Sequence, residues 1–508
     1  MELKPILRDL GLLLHVPGIM ALTSLLVCVL ANEPFAVRPF LWTAFAAIGT
    51  GQVLFWLFRR AEEMQLRHAM VTAVLAWLLV PFVGMLPFLL VAQELATKAG
   101  VSETVLAFQD PLNALFEAVS GFTATGLTVS LQPSELPRSL QWWRSFSQWI
   151  GGVGVIVLML AVFHHTAEAG RLLYSEARDK KILPDLQATV RIIWWIYLVY
   201  TLLGIALLRL AGMPTWWEAL NYGLTGIATG GFGISDASLA DYGAPVRAVM
   251  VLLMTAGAIS FASHYHILVK GQVNLLWRDV ENRALLTLLV GGALLLLLEN
   301  VWSRSSATWL DSLFQWTSAL ATAGFSTVRI EDWSITAQLL LAAGMVFGGA
   351  AGATTGGLKL RRIVWLARAA LLRIERVSLH PWILMEHKPI AESDEREIVG
   401  PHIEAAAIIA SLWGMTIALA TLLLLHFSGD RTSLNAVFFE VASALGNVGL
   451  SAGITHPELA WPGKLILILL MWMGRLEILP VLVLASWLFS WRPKRLAPGI
   501  GTRKRSRH

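Results

Sequence analysis

The sequence predicts an all-α polytopic membrane protein in which two N-terminal transmembrane helices precede four copies of one helical unit. Three observations lead to this prediction. First, 56% of the 508 residues are hydrophobic and only 14% are charged, too few charges to cover a soluble protein of this length. Second, uncharged apolar runs such as Leu12–Leu30 and Val71–Val91 match the ~20 residues that cross a bilayer. Third, short glycine-rich segments recur between these runs.

The membrane spans are the first elements that the apolar runs define. We predict ten of them, near residues 8–31, 37–58, 68–92, 141–164, 188–211, 245–268, 284–302, 333–375 with an interruption, 398–427 and 461–490. The first run is longer than the apolar core of a signal peptide and no A-x-A site follows it, so we expect it to be retained.

The basic residues set the orientation of these spans. They cluster in loops that alternate with charge-poor ones, which is typical of cytoplasmic loops. The clusters are Lys4 with Arg8, Arg59–Arg67, Arg171–Arg191, Lys270–Arg283, Lys359–Arg396 and Arg492–Arg507. We therefore expect both termini in the cytoplasm. With the first span retained, the expected location is a bacterial inner membrane. The net charge of +5 follows from this topology, and the basic tail is expected to adjoin the lipid surface rather than bind nucleic acid.

The four glycine-rich segments form an internal repeat. Each opens with an aromatic residue followed by Glu or Gln, and each ends in a glycine. The polar residue precedes the glycine by nine positions in three copies, Glu117 to Gly126, Gln315 to Gly324 and Glu440 to Gly449. In the second copy, Glu218 to Gly231, the separation is 13, which predicts about one additional helical turn. Asp110, Asp311 and Ser433 stand where N-caps of short helices are expected.

Each unit is therefore predicted to be a span, a short helix with a glycine hairpin, and a second span. Irregular backbone at membrane depth is tolerated only when it is buried in protein or lines a watery cavity. Four helix–pore-loop–helix repeats in pseudo-fourfold arrangement would therefore surround one pore. The predicted boundaries are 1–62 for the two N-terminal helices, 63–186, 187–282, 283–396 and 397–491 for the four repeats, and 492–508 for the basic tail.

The glycine hairpins are candidate cation ligands. Backbone carbonyls coordinate a dehydrated cation without adding fixed charge, and glycine accepts the dihedral angles that turn successive carbonyls inward. The C-terminal ends of short helices aimed at the axis would also favour a cation. The candidate filter residues are Ala124, Thr125 and Gly126; Thr229, Gly230 and Gly231; Thr322, Ala323 and Gly324; and Asn447, Val448 and Gly449.

The interruption in the eighth span is a candidate gate. Five of the ten residues 348–357 are glycine. Counted from the span ends at ~1.5 Å per residue, this segment and Arg475 both lie roughly 21–22 Å into the membrane. An arginine at that depth is expected to be functional or paired. The candidate gate residues are Gly348, Gly349, Gly352, Gly356, Gly357, Lys359 and Arg475. A structural kink is the alternative, with Arg475 either paired to a carboxylate such as Glu440 or held against freed carbonyls.

These segments resemble motifs of the Trk/Ktr/HKT superfamily of potassium transporters. The glycine hairpins carry the resemblance together with Trp143–Gly154, Leu173–Ala177, Gly348–Lys359 and Gly474–Glu477. The two additional N-terminal spans indicate similarity to the bacterial TrkH-type subunit rather than to the shorter KtrB type. The resemblance extends over residues 1–490.

The resemblance implies potassium uptake through a pseudo-tetrameric pore within one chain, with K⁺ as transported and filter-bound ion and no covalent cofactor. It also implies a homodimer, a regulatory cytosolic TrkA-type nucleotide-binding subunit, and the gate and charge-barrier roles of the glycine-rich segment and Arg475. Ala124 departs from the threonine common in the first filter, and Asn447–Val448 makes the fourth filter the least typical. With a glycine in all four copies, the sequence resembles the potassium-selective members of the superfamily rather than the sodium-selective plant relatives.

Two other classes of function compete with a pore. An ion-coupled secondary transporter would bind its substrate at broken helices near the midplane, but such folds are built from two repeats, and four equivalent hairpins fit a pore better. An enzyme would need a nucleophile with its base, or a metal cluster, at membrane depth. His264 and His266 are expected to be interfacial, and the single cysteine, Cys28, excludes a disulfide scaffold. The pore-helix residues Glu117, Glu218, Gln315 and Glu440 are either ion ligands or, as we favour, structural hydrogen-bonding groups.

Overall fold

The computed structural model describes residues 3–62, 66–164, 186–378, 391–428 and 432–490, and these residues are predominantly helical. The α-helices, numbered in chain order, are α1 Leu3–Leu13, α2 His15–Leu30, α3 Pro34–Phe58, α4 Leu66–Gly84, α5 Leu86–Leu95, α6 Glu103–Leu106, α7 Pro111–Phe122, α8 Arg138–His164, α9 Leu186–Leu210, α10 Trp216–Ile227, α11 Ala244–Ala258, α12 Phe261–Leu268, α13 Leu275–Arg278, α14 Val280–Trp302, α15 Trp309–Leu320, α16 Ile335–Phe347, α17 Leu360–Ser378, α18 Ala391–Phe427, α19 Leu434–Gly446, α20 Trp461–Leu476 and α21 Ile478–Ser490. Short 3₁₀ turns lie at Ala107–Gln109, Pro133–Glu135 and Ile330–Asp332.

Helices of membrane-spanning length account for most of the predicted spans. Six of them in the described part of the chain are long and apolar enough to cross a bilayer. They are Leu3–Leu30, Pro34–Phe58, Met70–Leu95, Gln187–Leu210, Val280–Trp302 and His402–Phe427. The predicted interruption of the eighth span is confirmed, because α16 ends at Phe347 and α17 begins at Leu360. The predicted basic tail 492–508 lies outside the described residues.

Two spans that we predicted as continuous are broken. The predicted span 245–268 consists of α11 and α12, with a bend of 106° between them. The predicted span 461–490 consists of α20 and α21, with a bend of 108°. Hydropathy reports the apolar length of a segment and not the continuity of its helix, so both were missed.

Long-range hydrogen bonds explain the first break. The carbonyls of Gly257 and Ala258, at the end of α11, accept hydrogen bonds from the amides of Thr354 and Ala350 at 3.2 and 3.0 Å. The amide of Phe261, at the start of α12, donates to the carbonyl of Gly352 at 3.1 Å. The backbone groups that the broken helix frees are thus satisfied by the glycine-rich segment, as burial requires.

The four short helices have the same register relative to their glycines. Helices α7, α10, α15 and α19 begin at 111, 216, 309 and 434, in each case 15 residues before the glycine at 126, 231, 324 or 449. The additional turn predicted for the second copy is therefore wrong. Nine residues before Gly231 stands Tyr222, and not Glu218, so Tyr222 is the counterpart of Glu117, Gln315 and Glu440.

The caps of the short helices partly match the predicted ones. Asp110 caps α7 by accepting from the Leu112 amide, and Thr215 caps α10. Helix α15 is capped by Thr308, whose capping box has Asp311 at the third helical position, so the assignment of Asp311 as the N-cap is wrong. Ser433 occupies the N-cap position of α19 without a side-chain capping hydrogen bond.

The short helices and the long helices that follow them pack in a closed cycle. Helix α8 contacts α10, α11 contacts α15, α16 contacts α19, and α20 contacts α7. The long helix of each repeat therefore supports the short helix of the next one, and the fourth repeat closes on the first. This is the pseudo-fourfold arrangement that the repeats predict.

Candidate cation pathway

The four glycine segments adopt one backbone conformation. Two residues before each glycine the chain is left-handed, with φ of 51° at Ala124, 49° at Thr229, 48° at Thr322 and 52° at Asn447. The glycines themselves have φ of 96°, 86°, 75° and 98° at Gly126, Gly231, Gly324 and Gly449. Residues with a Cβ rarely adopt this region. The repeated strain indicates a geometry that the fold imposes four times.

The four glycines lie next to one another in a ring. A Cβ atom added to Gly126 would clash with the carbonyl oxygen of Gly230, and one on Gly231 with that of Ala323. A Cβ on Gly324 would likewise clash with the carbonyl of Val448, and one on Gly449 with that of Thr125. Each glycine therefore faces the carbonyl that precedes the glycine of the next repeat, and the sequence of contacts closes on itself.

A single cavity joins these glycines. It has a volume of about 340 Å³, and all four glycines contribute to its lining. Residues that follow the glycines along the chain, such as Thr128, Gly233 and Ser451, also line it. Charges of both signs are present in its wall, from the carboxylates of Asp236 and Glu331 and from the guanidinium groups of Arg144 and Arg329.

The polar residue in the middle of each short helix anchors the chain that leaves the filter. The Glu117 carboxylate accepts hydrogen bonds from the Thr128 hydroxyl at 2.8 Å and from the Val129 amide at 3.1 Å. Glu440 accepts in the same way from Ser451 at 2.9 Å and from the Ala452 amide at 3.0 Å. The Gln315 amide oxygen accepts from the Thr327 amide, and the Tyr222 hydroxyl donates to the Ser238 carbonyl.

These four side chains are fully buried, and their contacts are those of structural hydrogen-bonding groups, as we favoured for Glu117, Gln315 and Glu440. Glu218 does not take part. It lies in the first turn of α10 and bonds to the hydroxyls of Thr215 and Tyr242.

Gln148 contacts the second filter and was not singled out from the sequence. Its side chain donates to the carbonyl of Gly230 and accepts from the Phe232 amide at 3.0 Å. The Gly230 carbonyl, a predicted cation ligand, is therefore also a hydrogen-bond acceptor for protein. A glutamine in a helix that is predicted to span the membrane was the available signal, because a fully buried amide needs partners.

Asn447 explains why the fourth filter departs from the others. Asparagine tolerates the left-handed conformation better than most residues. Its side-chain amide donates to the Thr125 hydroxyl at 2.9 Å and to the Met471 carbonyl at 2.7 Å. It thus connects the fourth filter to the first filter and to α20 through two donated hydrogen bonds, whereas a threonine hydroxyl has only one hydrogen to donate.

The glycine-rich segment lies directly against the filters. The Gly356 amide donates to the hydroxyl of Thr322 at 2.8 Å, and the Thr229 hydroxyl donates to that of Thr354 at 3.1 Å. Both filter threonines stand two residues before their glycine, at the end of the filter away from the cavity. The filters therefore lie between the cavity and the glycine-rich segment. Thr354 contacts α10, α11 and the second filter. The sequence does not single it out, because a threonine inside the glycine-rich segment gives no distinct signal of its own.

Arg475 bonds to backbone carbonyls and not to Glu440. One terminal nitrogen donates to the Thr354 carbonyl at 2.8 Å, and the other donates to the carbonyls of Gly151 and Gly152 at 2.6 and 2.8 Å. The contact with Thr354 confirms the prediction that Arg475 and the glycine-rich segment lie at the same depth. Arg475 as a residue is 6% exposed, which makes it a buried charge beside the interruption.

Charged residues hold the glycine-rich segment and the beginning of α17 in place. Glu281, on α14, accepts from the Ala351 amide at 2.7 Å and forms an ion pair with Arg361. Arg362 pairs with Glu477 at 2.7 Å, where the break between α20 and α21 has a φ of 66°. Lys359, also left-handed, donates to the Thr355 carbonyl. Glu281 falls within the basic cluster Lys270–Arg283, and the sequence does not single it out because its partners are distant in the chain.

The histidines show no metal site in the described part of the chain, where no group of three potential ligands comes together. His264 lies near the start of α12. It is buried and hydrogen-bonded to the Tyr200 hydroxyl and the Ala256 carbonyl, both at 2.9 Å.

Comparison with known proteins gives consistent similarities. Residues 38–491 match the TrkH family, described as cation transport proteins. An uncharacterised cation transporter of Methanocaldococcus jannaschii is 32% identical, with 96% of each chain covered. The Trk system potassium uptake protein TrkH of Salmonella typhimurium is 30% identical, with 97% of this chain and 100% of the relative covered.

A solved structure is similar over the same range. The crystal structure of the potassium transporter TrkH from Vibrio parahaemolyticus has a TM-score of 0.80 with 27% sequence identity. The similarity covers 97% of this chain and 100% of that one.

Proposed function

The chain belongs to the TrkH family of cation transport proteins, and from this we propose that it carries potassium into the cell across the cytoplasmic membrane. It is an integral membrane transport protein and not an enzyme. The observation that carries the proposal is the closed ring of four glycine turns, each against the carbonyl of the next, around one cavity. Relatives over the full length are named as potassium uptake proteins.

In this proposal potassium loses its water to the backbone of the four filters. The ligands are carbonyls of Ala124–Gly126, Thr229–Gly231, Thr322–Gly324 and Asn447–Gly449. Carbonyl dipoles replace the hydration shell of the ion without binding it so tightly that it cannot leave. The C-terminal ends of the four short helices, immediately before these residues, add a partial negative charge.

The glycine-rich segment from Gly348 to Lys359 is proposed to gate this pathway. Gly348, Gly352 and Gly357 have positive φ, so the segment is not a helical turn that simply continues the span. Its hydrogen bonds to Thr229 and Thr322 support a position immediately below the filter. Arg475, bonded to its Thr354 carbonyl, would place a positive charge next to the ion path and oppose conduction.

The partners follow from the same family assignment. We propose a homodimer and a peripheral cytosolic TrkA-type nucleotide-binding subunit. The connection from Lys359 to Glu397 is the proposed docking region, of which residues 379–390 lie outside the described residues. Its helix α17 carries Arg361 and Arg362, which bond to Glu281 and Glu477 beside the gate. A partner that moved α17 would therefore act on the gate. Both termini are proposed to be cytoplasmic, in keeping with the basic clusters.

Two assays test the function. Expression in a strain that lacks potassium uptake should restore growth on limiting potassium, and purified protein in liposomes at a set membrane potential should pass potassium in preference to sodium. A well-expressed protein that does neither would contradict the proposal. Flux that saturates and requires a second ion would favour the secondary-transporter alternative.

A further inference from the structure

A buried ion pair lies beside the first two filters. The Arg144 Nε atom is 2.7 Å from Glu117 Oε1, and the two side chains are 1% and 0% exposed. Glu117 belongs to the short helix α7 and Arg144 to α8, so the pair ties the first filter to the long helix that follows it. Burying two charges is costly unless the geometry is good and the remaining donors are satisfied.

The guanidinium of Arg144 bonds to two filters at equivalent points. Its Nη2 atom donates to the hydroxyl of Thr128 at 3.2 Å, and its Nη1 atom donates to the carbonyl of Gly233 at 2.9 Å. Thr128 stands two residues after Gly126, and Gly233 stands two residues after Gly231. The guanidinium carbon also lies 4.2 Å from the centre of the Phe232 ring. One planar fork therefore fixes the first filter relative to the second.

The other repeats anchor their filters differently. Glu440 occupies the same position as Glu117, and its carboxylate accepts from the hydroxyls of Ser451 and Thr455 and from two amides. Gln315 and Tyr222 are neutral. Arg144 is also among the residues that line the cavity containing all four glycines, so its buried charge lies next to the space from which a cation would enter the filter.

We propose that Arg144 is a positioning residue that sets the spacing of the first two filters, and that Glu117 neutralises its charge so that it does not repel potassium at the filter mouth. This deepens the proposed function and depends on it. The two residues have separable effects. Glu117 acts mainly on how readily a cation occupies the filter, whereas Arg144 acts mainly on the geometry that distinguishes potassium from sodium.

The substitution Glu117→Gln leaves the positive charge of Arg144 beside the cavity without a carboxylate to neutralise it. We expect roughly tenfold lower potassium conductance, the factor that corresponds to ~1.4 kcal/mol of lost cation stabilisation. Glu440→Gln removes the same charge from the equivalent position without exposing a cation, so its conductance should fall less. Glu103→Gln, an exposed carboxylate on α6, should behave as the wild type does.

The substitution Arg144→Gln releases Thr128 and Gly233. The potassium-to-sodium permeability ratio, taken from the reversal potential under bi-ionic conditions, should fall by about tenfold, again ~1.4 kcal/mol. Arg144→Lys keeps the charge but not the planar fork, so it should lose selectivity as well. The double variant Glu117→Gln/Arg144→Gln restores neutrality and should recover most of the conductance that Glu117→Gln loses, without recovering selectivity.

These measurements are made on the full chain in planar bilayers, with monodisperse size-exclusion profiles as the check of folding. If Arg144→Gln does not fold, Arg144→Lys and Glu117→Gln carry the test. An unchanged permeability ratio in Arg144→Lys, or equal conductance in Glu117→Gln and Glu440→Gln, would overturn the proposal. Failure of the wild-type chain to pass potassium would instead overturn the proposed function.

Discussion

At the candidate filter positions, the choice of residue depends on the backbone conformation and on the carbonyl of the adjacent repeat more than on side-chain chemistry. Gly324 combines a φ of 75° with a carbonyl of Val448 where a Cβ would lie. Asn447 accepts a similar conformation because its amide is held by Thr125 and Met471. A residue at these positions is therefore chosen for the backbone that it permits, and side-chain variation such as Ala124 leaves the ring of carbonyls intact.

Gly324→Ala tests this constraint. A left-handed residue with a Cβ costs about 1–2 kcal/mol, and the clash must also displace the Val448 carbonyl. We expect at least about tenfold lower potassium uptake, since ~1.4 kcal/mol corresponds to a factor of ten. Gly291→Ala is the matched control, because a Cβ at this helical glycine meets no atom within 4 Å. Uptake and expression are measured in parallel, and normal uptake by Gly324→Ala would be incompatible with a carbonyl filter at this position.

Arg475→Ala tests the charge barrier. An arginine at membrane depth costs about 2.5–3.5 kcal/mol on insertion scales, so removing it should not harm insertion, and it should raise single-channel conductance. Arg475→Lys retains the charge and should remain closer to the wild type. A loss of conductance in Arg475→Ala with normal expression would show that the bonds to Thr354, Gly151 and Gly152 are structural.

The sequence predicts that Arg475 lies beside the glycine-rich segment, but it does not decide which groups Arg475 bonds to. Counting residues along a helix gives depth, whereas Gly151, Gly152 and Thr354 approach Arg475 from distant parts of the chain. The same limit applies to Tyr222. Residue type alone aligns the second repeat on Glu218, because two other copies have glutamate. The helix register instead places the hydroxyl of Tyr222 at the position that Glu117 occupies in the first repeat.

Among the elements, the glycine-rich segment has the most connections to its surroundings. Its amides donate hydrogen bonds to the free carbonyls at the end of α11, and it bonds to two filters. It also forms hydrogen bonds with the side chains of Arg475 and Glu281. The interruption itself was predictable, because five glycines in ten residues do not form a stable helix. The breaks at Ser260 and Glu477 were not, because their unusual backbone is stabilised by partners such as Gly352 and Arg362 that are distant in sequence.

Deletion of Ala350–Thr355 tests the gate. The shortened segment loses the Thr354 contacts with Thr229 and with Arg475, so we expect a higher open probability in patch-clamp recordings and faster rubidium flux. The filter residues are unchanged, and the potassium-to-sodium ratio should therefore persist. An unchanged open probability would exclude this segment as the gate.

Glu281→Gln is a milder test of the same element. Hydrogen bonds to charged groups contribute about 1.5–3 kcal/mol, and the substitution weakens those with the Ala351 amide and with Arg361. We expect a raised basal open probability without a change in selectivity. Glu299→Gln, on the same helix, is the control for loss of a carboxylate from α14. Equal open probabilities for the two variants would argue against a role for Glu281 in holding the segment.

At the scale of the whole molecule, the four repeats form a closed cycle in which each long helix supports the next short helix. This arrangement was predictable because four similar glycine-rich segments lie between membrane spans, and four hairpins at membrane depth must be buried against something. Which helices contact each other could not be predicted, because the pair that closes the cycle, α20 and α7, joins the two ends of the repeat region.

The central claim is that the ring of glycine turns binds potassium through backbone carbonyls. Anomalous diffraction from crystals of the full-length protein soaked in rubidium tests it most directly. We predict a peak on the axis of the ring, surrounded by the carbonyls of Thr125, Gly230, Ala323 and Val448. Rubidium bound only at carboxylates of the cavity wall, such as Asp236 and Glu331, with no peak within the ring, would contradict it.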